Sequence, residues 1–164
     1  MEIKLVIGLG NPGREYENTY HNVGHLFVDF LASEASFKKE KYFKYADSKR
    51  PALTKSSSFM NQSGGAVASA KRHFKTKADE ILVVHDDSDI PLGSFKLSFN
   101  RGAAGHRGIE SIIRSLRTNK FYRLRIGIRP QNERTRKKAS EFILKKIGAK
   151  EKKILKELFL KVKL

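Results

Sequence analysis

Apolar residues fall in short runs along the chain, and the spacing within each run predicts what it forms. Ile3 to Leu9 is a β-rich apolar run that stops at a Gly/Asn/Pro cluster, which predicts a buried strand ending in a tight loop. From Asn22 onward, Val23, Leu26, Phe27, Phe30 and Leu31 recur at helical spacing with Asp29 and Ser33 on the other face, so an amphipathic helix follows that loop. Tyr42 to Ala46 and Ala52 to Lys55 read as short strands, and Gly65 to Phe74 as a helix whose start is marked by Asn61 and Ser63. Ile81 to His85 is the clearest buried strand. An acidic loop, Asp86 to Asp89, follows it, then a turn at Pro91-Leu92-Gly93 and an alternating strand, Phe95 to Phe99. The loop Arg101 to Gly105 leads into a helix, His106 to Leu116, and Phe121 to Ile128 returns as a strand. Beyond Pro130 comes a polar Arg/Lys-rich linker, Gln131 to Lys138, then a short segment, Phe142 to Ile147. A final helix carries an apolar stripe of Ile154, Leu155, Leu158, Phe159 and Val162.

Strands alternating with helices predict an α/β fold, a mixed, largely parallel twisted sheet covered by helices on both faces. A length of 164 residues supports one domain, 1–164, with a real core but without room for a separate cofactor domain. No window approaches the run of about 18 apolar residues that a spanning helix needs. The opening MEIKLVIGLGNPG lacks the regions of a signal peptide, so the expected location is the cytoplasm, without a membrane partner. Zero cysteines exclude a disulfide framework, a thiolate metal site and a cysteine nucleophile.

Charge changes the picture more than composition does. The formal net charge is +17, and residues 1–100 carry 14 basic against 12 acidic side chains, whereas residues 101–164 carry 20 against 5. The last third is therefore the electrostatic footprint, and a chain with a pI near 10.2 is expected to meet a polyanion such as nucleic acid. A solvated basic surface, or one drawn to anionic lipid, is the alternative.

Five groups could carry chemistry. Gly8-Leu9-Gly10-Asn11-Pro12-Gly13 matches G-x-G-x-x-G after a strand, but Pro12, the polar residues Arg14 to Asn18 and the position of Asp29 inside a helix argue against a dinucleotide site. Tyr16, Thr19, His21 and Asn22 lie in the loop after the first strand, and His85-Asp86-Asp87-Ser88-Asp89 follows another buried strand. If those strand ends are adjacent, a carboxylate of the second group can accept the Nδ1 proton of His21 and leave Nε2 free to take a proton from water. Taken alone, the first of these two is a helix-capping cluster, and the second an acidic turn or a metal site. With no G-x-S-x-G present, water is the expected nucleophile. Phe59-Met60-Asn61-Gln62-Ser63-Gly64 sets an apolar pair and an amide at a helix entrance, and Gly102 to Gly108 is a small-residue loop open to close approach by phosphate or ribose.

In order along the chain, GLGNPG, Y-x-x-T-Y-H-N-x-G, FMNQSG, HDDSDIPLG, GAAGHRG and YRLRIGI resemble the motifs of the bacterial-type peptidyl-tRNA hydrolases, from about Ile3 to Phe142. The resemblance implies a monomeric enzyme, needing no metal or other cofactor, that cleaves the ester between a peptide and the terminal ribose of tRNA. Its partner would be peptidyl-tRNA, met at the 3′ end and acceptor stem, with no obligate protein partner. It further implies that His21 activates water, that Asp86 holds His21, and that Asn11 helps distinguish blocked peptidyl from free aminoacyl groups. Tyr16, Phe59 and Asn61 would line the site, with Met60 packed beside them, and Arg107 would contact phosphate near the 3′ end. Two positions depart from the pattern: Tyr20 stands where the family usually has Arg, and Arg107 where it usually has Asn. Guanidinium donates but cannot accept, so Arg107 cannot take a proton from bound water. The family also often has a longer C-terminal tail. Two rival readings remain open at this point: an RNA-binding module without catalysis, suggested by Arg107 and the basic last third, and a metal-dependent hydrolase using Asp86, Asp87 and Asp89.

Overall fold

The computed structural model describes residues 2–47, 51–130 and 138–164. Seven strands form one sheet: β1 (Leu5–Gly8), β2 (Phe37–Lys39), β3 (Phe43–Ala46), β4 (Ala52–Ser56), β5 (Ile81–Pro91), β6 (Phe95–Phe99) and β7 (Tyr122–Arg129). Their order is β2-β3-β4-β1-β5-β7-β6. The sheet is mixed, as expected: β4, β1, β5 and β7 run parallel through the centre, and β2, β3 and β6 pair antiparallel at the edges.

Both faces of the centre are covered, so its strands are near-continuous apolar runs whose side chains sort by period two. Val6, Leu82 and Val84 face the layer formed by α1 (Val23–Ala32) and α4 (Ala149–Lys161). Leu5, Ile7, Ile81 and Val83 face α2 (Ser63–His73) and α3 (Arg107–Leu116). The apolar stripe of the last helix finds its partner here, with the Phe159 ring edge-on to Phe27 at 5.1 Å. Helices that follow β1 and β4 thus pack on opposite faces, which opens a crevice at the carboxyl ends of β1 and β5.

Three elements differ from the sequence expectation. The acidic segment Asp86 to Asp89 is not a loop but the second half of β5, because Asp86 and Asp87 pair with Ile126 and Gly127 of β7 before the register shifts ahead of Pro91. β2 was not foreseen; it is a three-residue edge strand with two exposed lysines and little apolar signal. Asn61 sits in a 3-10 turn, Met60–Gln62, that precedes α2. The linker expected at Gln131 to Lys138 lies outside the described residues apart from Lys138.

α1 approaches β1 at backbone distance. A Cβ on Gly24 would collide with the Val84 carbonyl oxygen and the backbone of Leu9, and one on Gly8 with the Gly24 carbonyl. The helix that begins just after His21 is held against the sheet by this contact. Gly24→Ala is therefore expected to destabilise the fold by about 2–3 kcal/mol through overpacking that rigid backbone cannot relieve. Thermal denaturation checks this, and a melting temperature equal to the parent's would contradict it.

Candidate active site

Because β1 and β5 are adjacent and parallel, with Gly8 level with Val84, the loop after β1 lies beside Asp86. His21 and Asp86, 65 positions apart in sequence, meet there: His21 Nδ1 is 2.9 Å from Asp86 Oδ1. The other ring nitrogen, Nε2, has no partner among the described residues, and the ring lines a cleft of about 1270 Å³. A proton on Nδ1 donated to Asp86 leaves the Nε2 lone pair available to a water in that cleft.

His106, which sequence reasoning did not select, completes the group. Its Nε2 stands 3.1 Å from the same Oδ1 of Asp86, while its Nδ1 accepts the Ile109 N–H at 3.3 Å as the N-cap of α3. That backbone bond puts the His106 proton on Nε2, so Asp86 accepts two N–H donors. The signal in the sequence was a histidine closing a glycine-containing loop at a helix start, the same position type as His21.

Electrostatics separate the histidines. Burial lowers the His21 pKa, but the charge and hydrogen bond of Asp86 more than offset this and hold it above the ordinary value of 6.5. Burial also dominates at His25, where Lys55 adds to it and the pKa is pushed down to about 3. His85 is pushed well below the ordinary value by burial and by His106. His25 and His85 are thus neutral and poorly basic, whereas His21 can cycle a proton near neutral pH. For Asp86 burial alone would raise the pKa, yet the charges and hydrogen bonds of His21 and His106 hold it well below the usual carboxylate range.

Asn11 is fixed by its neighbours. Its N–H donates to Asn22 Oδ1 at 2.8 Å, its carbonyl accepts from Asn22 Nδ2 at 2.9 Å, and its own Oδ1 accepts the Met60 N–H at 2.7 Å. Asn11 Nδ2 has no partner among the described residues, and Asn11 lines the cleft. Met60 is buried beneath the same wall, and Asn61 and Phe59 are exposed on it, Phe59 at 49%. Tyr16 stands edge-on to Phe59 at 6.1 Å rather than within the cleft lining. Arg107 is exposed on the rim as the first residue of α3. Tyr20 turns away from the cleft and stacks edge-on to Phe142 at 6.3 Å.

The opposite wall is basic. Lys96 of β6 lies level with Arg125 of β7, and Arg101 and Arg123 join them in the lining. Arg123 is only 3% exposed and donates to the Gly102 carbonyl at 2.9 Å; burial and the neighbouring Arg125 lower its pKa. Asp87 supplies one compensating carboxylate, to Arg125 Nε at 2.7 Å. Alternation of Arg123 and Arg125 along a strand was the sequence signal for this wall. Of the three carboxylates considered for a metal, Asp87 is engaged by Arg125. The described residues able to hold an ion are instead His21, Asp86 and His106, whose donor atoms lie within 4.8 Å of one another.

A family model described as peptidyl-tRNA hydrolase matches residues 5–163. The peptidyl-tRNA hydrolase of Neisseria meningitidis serogroup C is 49% identical over 135 residues, spanning 77% of this chain and 70% of that protein. That of Aquifex aeolicus is 38% identical over 169 residues, spanning 98% and 86%. The crystal structure of peptidyl-tRNA hydrolase from Acinetobacter baumannii superposes with a TM-score of 0.83 at 30% identity, covering 96% of this chain and 83% of that one. With a family model over nearly its whole length and relatives of that fold and identity, this chain belongs to the peptidyl-tRNA hydrolase family.

Proposed function

We propose that this chain, as a monomeric single domain in the cytoplasm, hydrolyses the ester that joins a peptide to the 3′ end of tRNA, with His21 as general base. The observation that carries the reading is the 2.9 Å contact between His21 Nδ1 and a buried Asp86, at the floor of a cleft with one basic wall. Water in the cleft gives a proton to His21 Nε2 as its oxygen attacks the ester carbonyl carbon. The tetrahedral intermediate then expels the ribose oxygen, which takes that proton from His21, leaving a free tRNA hydroxyl and a peptide carboxylic acid that ionises by releasing a proton to solvent. Asp86 stabilises the imidazolium between these steps, and His106 keeps Asp86 ionised and oriented. Asn11 Nδ2 and the Asn61 amide supply donors to the ester and peptide oxygens. Phe59, backed by Tyr16 and beside Met60, packs on the apolar part of the substrate. Lys96, Arg101, Arg123 and Arg125 face RNA phosphates of the acceptor end, which neutralise the positive charge that Asp87 leaves on this wall.

His21→Ala should abolish release of N-blocked amino acid from its tRNA while the melting temperature stays near the parent's; turnover retained in that variant would remove His21 as base. Because neutral His21 is the active form and its pKa lies above 6.5, kcat should rise with pH through an inflection above that value. Asp86→Asn removes the influence that raises the pKa and leaves burial, so the inflection should move to lower pH. The plateau should fall on the order of hundredfold or more as the tautomer is lost.

Arg107 offers donors only and stands on the rim with no partner among the described residues, which suits a phosphate rather than the attacking water. Arg107→Asn should raise KM for the tRNA ester about three- to tenfold, keep kcat, and reduce the salt dependence of binding by about one charge. A rise in kcat with unchanged binding would assign Arg107 the opposite role.

The grouping of His21, Asp86 and His106 favours a second reading, a bound divalent ion that activates the water. The two N–H bonds to one Asp86 oxygen favour the metal-free form, so prolonged treatment with a chelator should leave turnover unchanged; loss of turnover restored by added metal would favour the ion.

A further inference from the structure

The backbone that presents His21 is built from both ends of the chain. Residues 18–21 pair antiparallel with 143–147: Ile147 N–H donates to the Asn18 carbonyl at 2.8 Å, Tyr20 N–H to Lys145 at 3.3 Å, and His21 N–H to Ile143 at 2.8 Å. Asn18 adopts a left-handed conformation, φ 58°, that accompanies this pairing. At the middle of the pairing one side chain spans the gap. Lys146 Nζ donates to three backbone carbonyls of the preceding turn, Glu17 at 2.6 Å, Glu15 at 2.8 Å and Arg14 at 3.3 Å. An ammonium has three N–H donors, so this arrangement uses its full capacity.

We propose that Lys146 is a positioning residue for catalysis, clamping the 14–17 turn to the C-terminal segment so that His21 stays in register with Asp86. Three charge-assisted bonds hold the 3-10 turn Arg14–Tyr16, whose Arg14 carbonyl otherwise accepts, among the described residues, only the weak 3.3 Å bond from the Glu17 N–H at its end. Tyr16, backing Phe59, belongs to the same turn, and Ile143, which accepts the His21 N–H, lines the cleft. One lysine thus ties three parts of the site together: the base, the Tyr16–Phe59 wall and the C-terminal rim. A lysine in so basic a region invites the simpler assignment of a surface cation for RNA. Both Lys145 and Lys146 are exposed, but the Lys146 ammonium is already committed to carbonyls, whereas Lys145 has no side-chain partner among the described residues.

The proposal rests on His21 as base, and the test separates the two. Lys146→Met keeps the stem and removes the donors, Lys146→Arg keeps donors, and Lys145→Met removes one adjacent positive charge. Lys146→Met should lower kcat at least about tenfold with KM changed less than about threefold, since small displacements of a base cost rate rather than binding. Lys146→Arg should recover most of the loss, and Lys145→Met should act on KM alone. In proton NMR of the intact protein, the low-field Nδ1–H signal of His21 should broaden or vanish in Lys146→Met and persist in Lys146→Arg, a readout that needs no turnover. Should Lys146→Met fail to fold, Lys146→Gln replaces it in both measurements. Lys146→Met matching Lys145→Met in kinetics, or keeping the His21 signal intact, would overturn the proposal.

Discussion

Asp86 is 3% exposed at the floor of the cleft, and an anion there would cost several kcal/mol if it stood alone. Two N–H groups converge on one of its oxygens, and bonds of that type contribute roughly 1.5–3 kcal/mol each, enough to offset much of that cost. The same contacts fix both imidazoles. Everything else in the site follows from where Asp86 can be: on β5, two residues past the level of Gly8, where the loop after β1 and the start of α3 reach it. The Gly8–Gly24 backbone contact, the Asn11–Asn22 pairing and the Lys146 clamp all act on that first loop.

Charge is distributed to match. The excess in residues 101–164 reads as a diffuse basic tail in the sequence, but β7 carries three of its arginines into the sheet and sets two of them, Arg123 and Arg125, with Lys96 and Arg101 as a wall of the cleft. Arg123 is buried among like charges and kept there by the Gly102 carbonyl, while Asp87 screens Arg125. The cleft lining sets Asp87 and Asp89 against these four cations, so the wall keeps an excess of positive charge. An anionic ligand binding there gains more than one binding to solvated lysines, because less water separates the charges.

Much of this was legible in the sequence, and the gaps have physical causes. Short continuous apolar runs located the central strands, and helical spacing with start signals the four helices, since both faces of the sheet are buried and leave strong apolar signals. The meeting of His21 with Asp86 followed from two motifs at strand ends and needed only adjacency of β1 and β5. What stayed hidden depends on pairing rather than composition. Asp86 to Asp89 looks like a loop because its residues are polar, yet β7 supplies backbone partners that extend the strand through it. His106 gives no periodic signal, and its role comes from the loop that returns α3 to the β5 end. Nothing local in Ile143 to Ile147 announces a partner over 120 residues earlier, because the bonds are between backbones and any sequence could make them.

The two departures from the family pattern are therefore not alike. Tyr20 follows the 3-10 geometry of residues 20–22, which sends its side chain away from Asp86 and onto Phe142, so a ring there adds apolar contact to the junction with the C-terminal segment. A change at that position acts through packing. Arg107 begins α3, one residue beyond His106, and faces the cleft with its guanidinium unengaged among the described residues. Its neighbour His106 needs the Ile109 N–H to keep its proton on Nε2, and that bond depends on the helix start, not on the side chain at 107. The Asp86 centre can thus tolerate Arg107, while the rim gains a cation at the start of α3. Of the two substitutions, only the second alters what the cleft presents to a substrate.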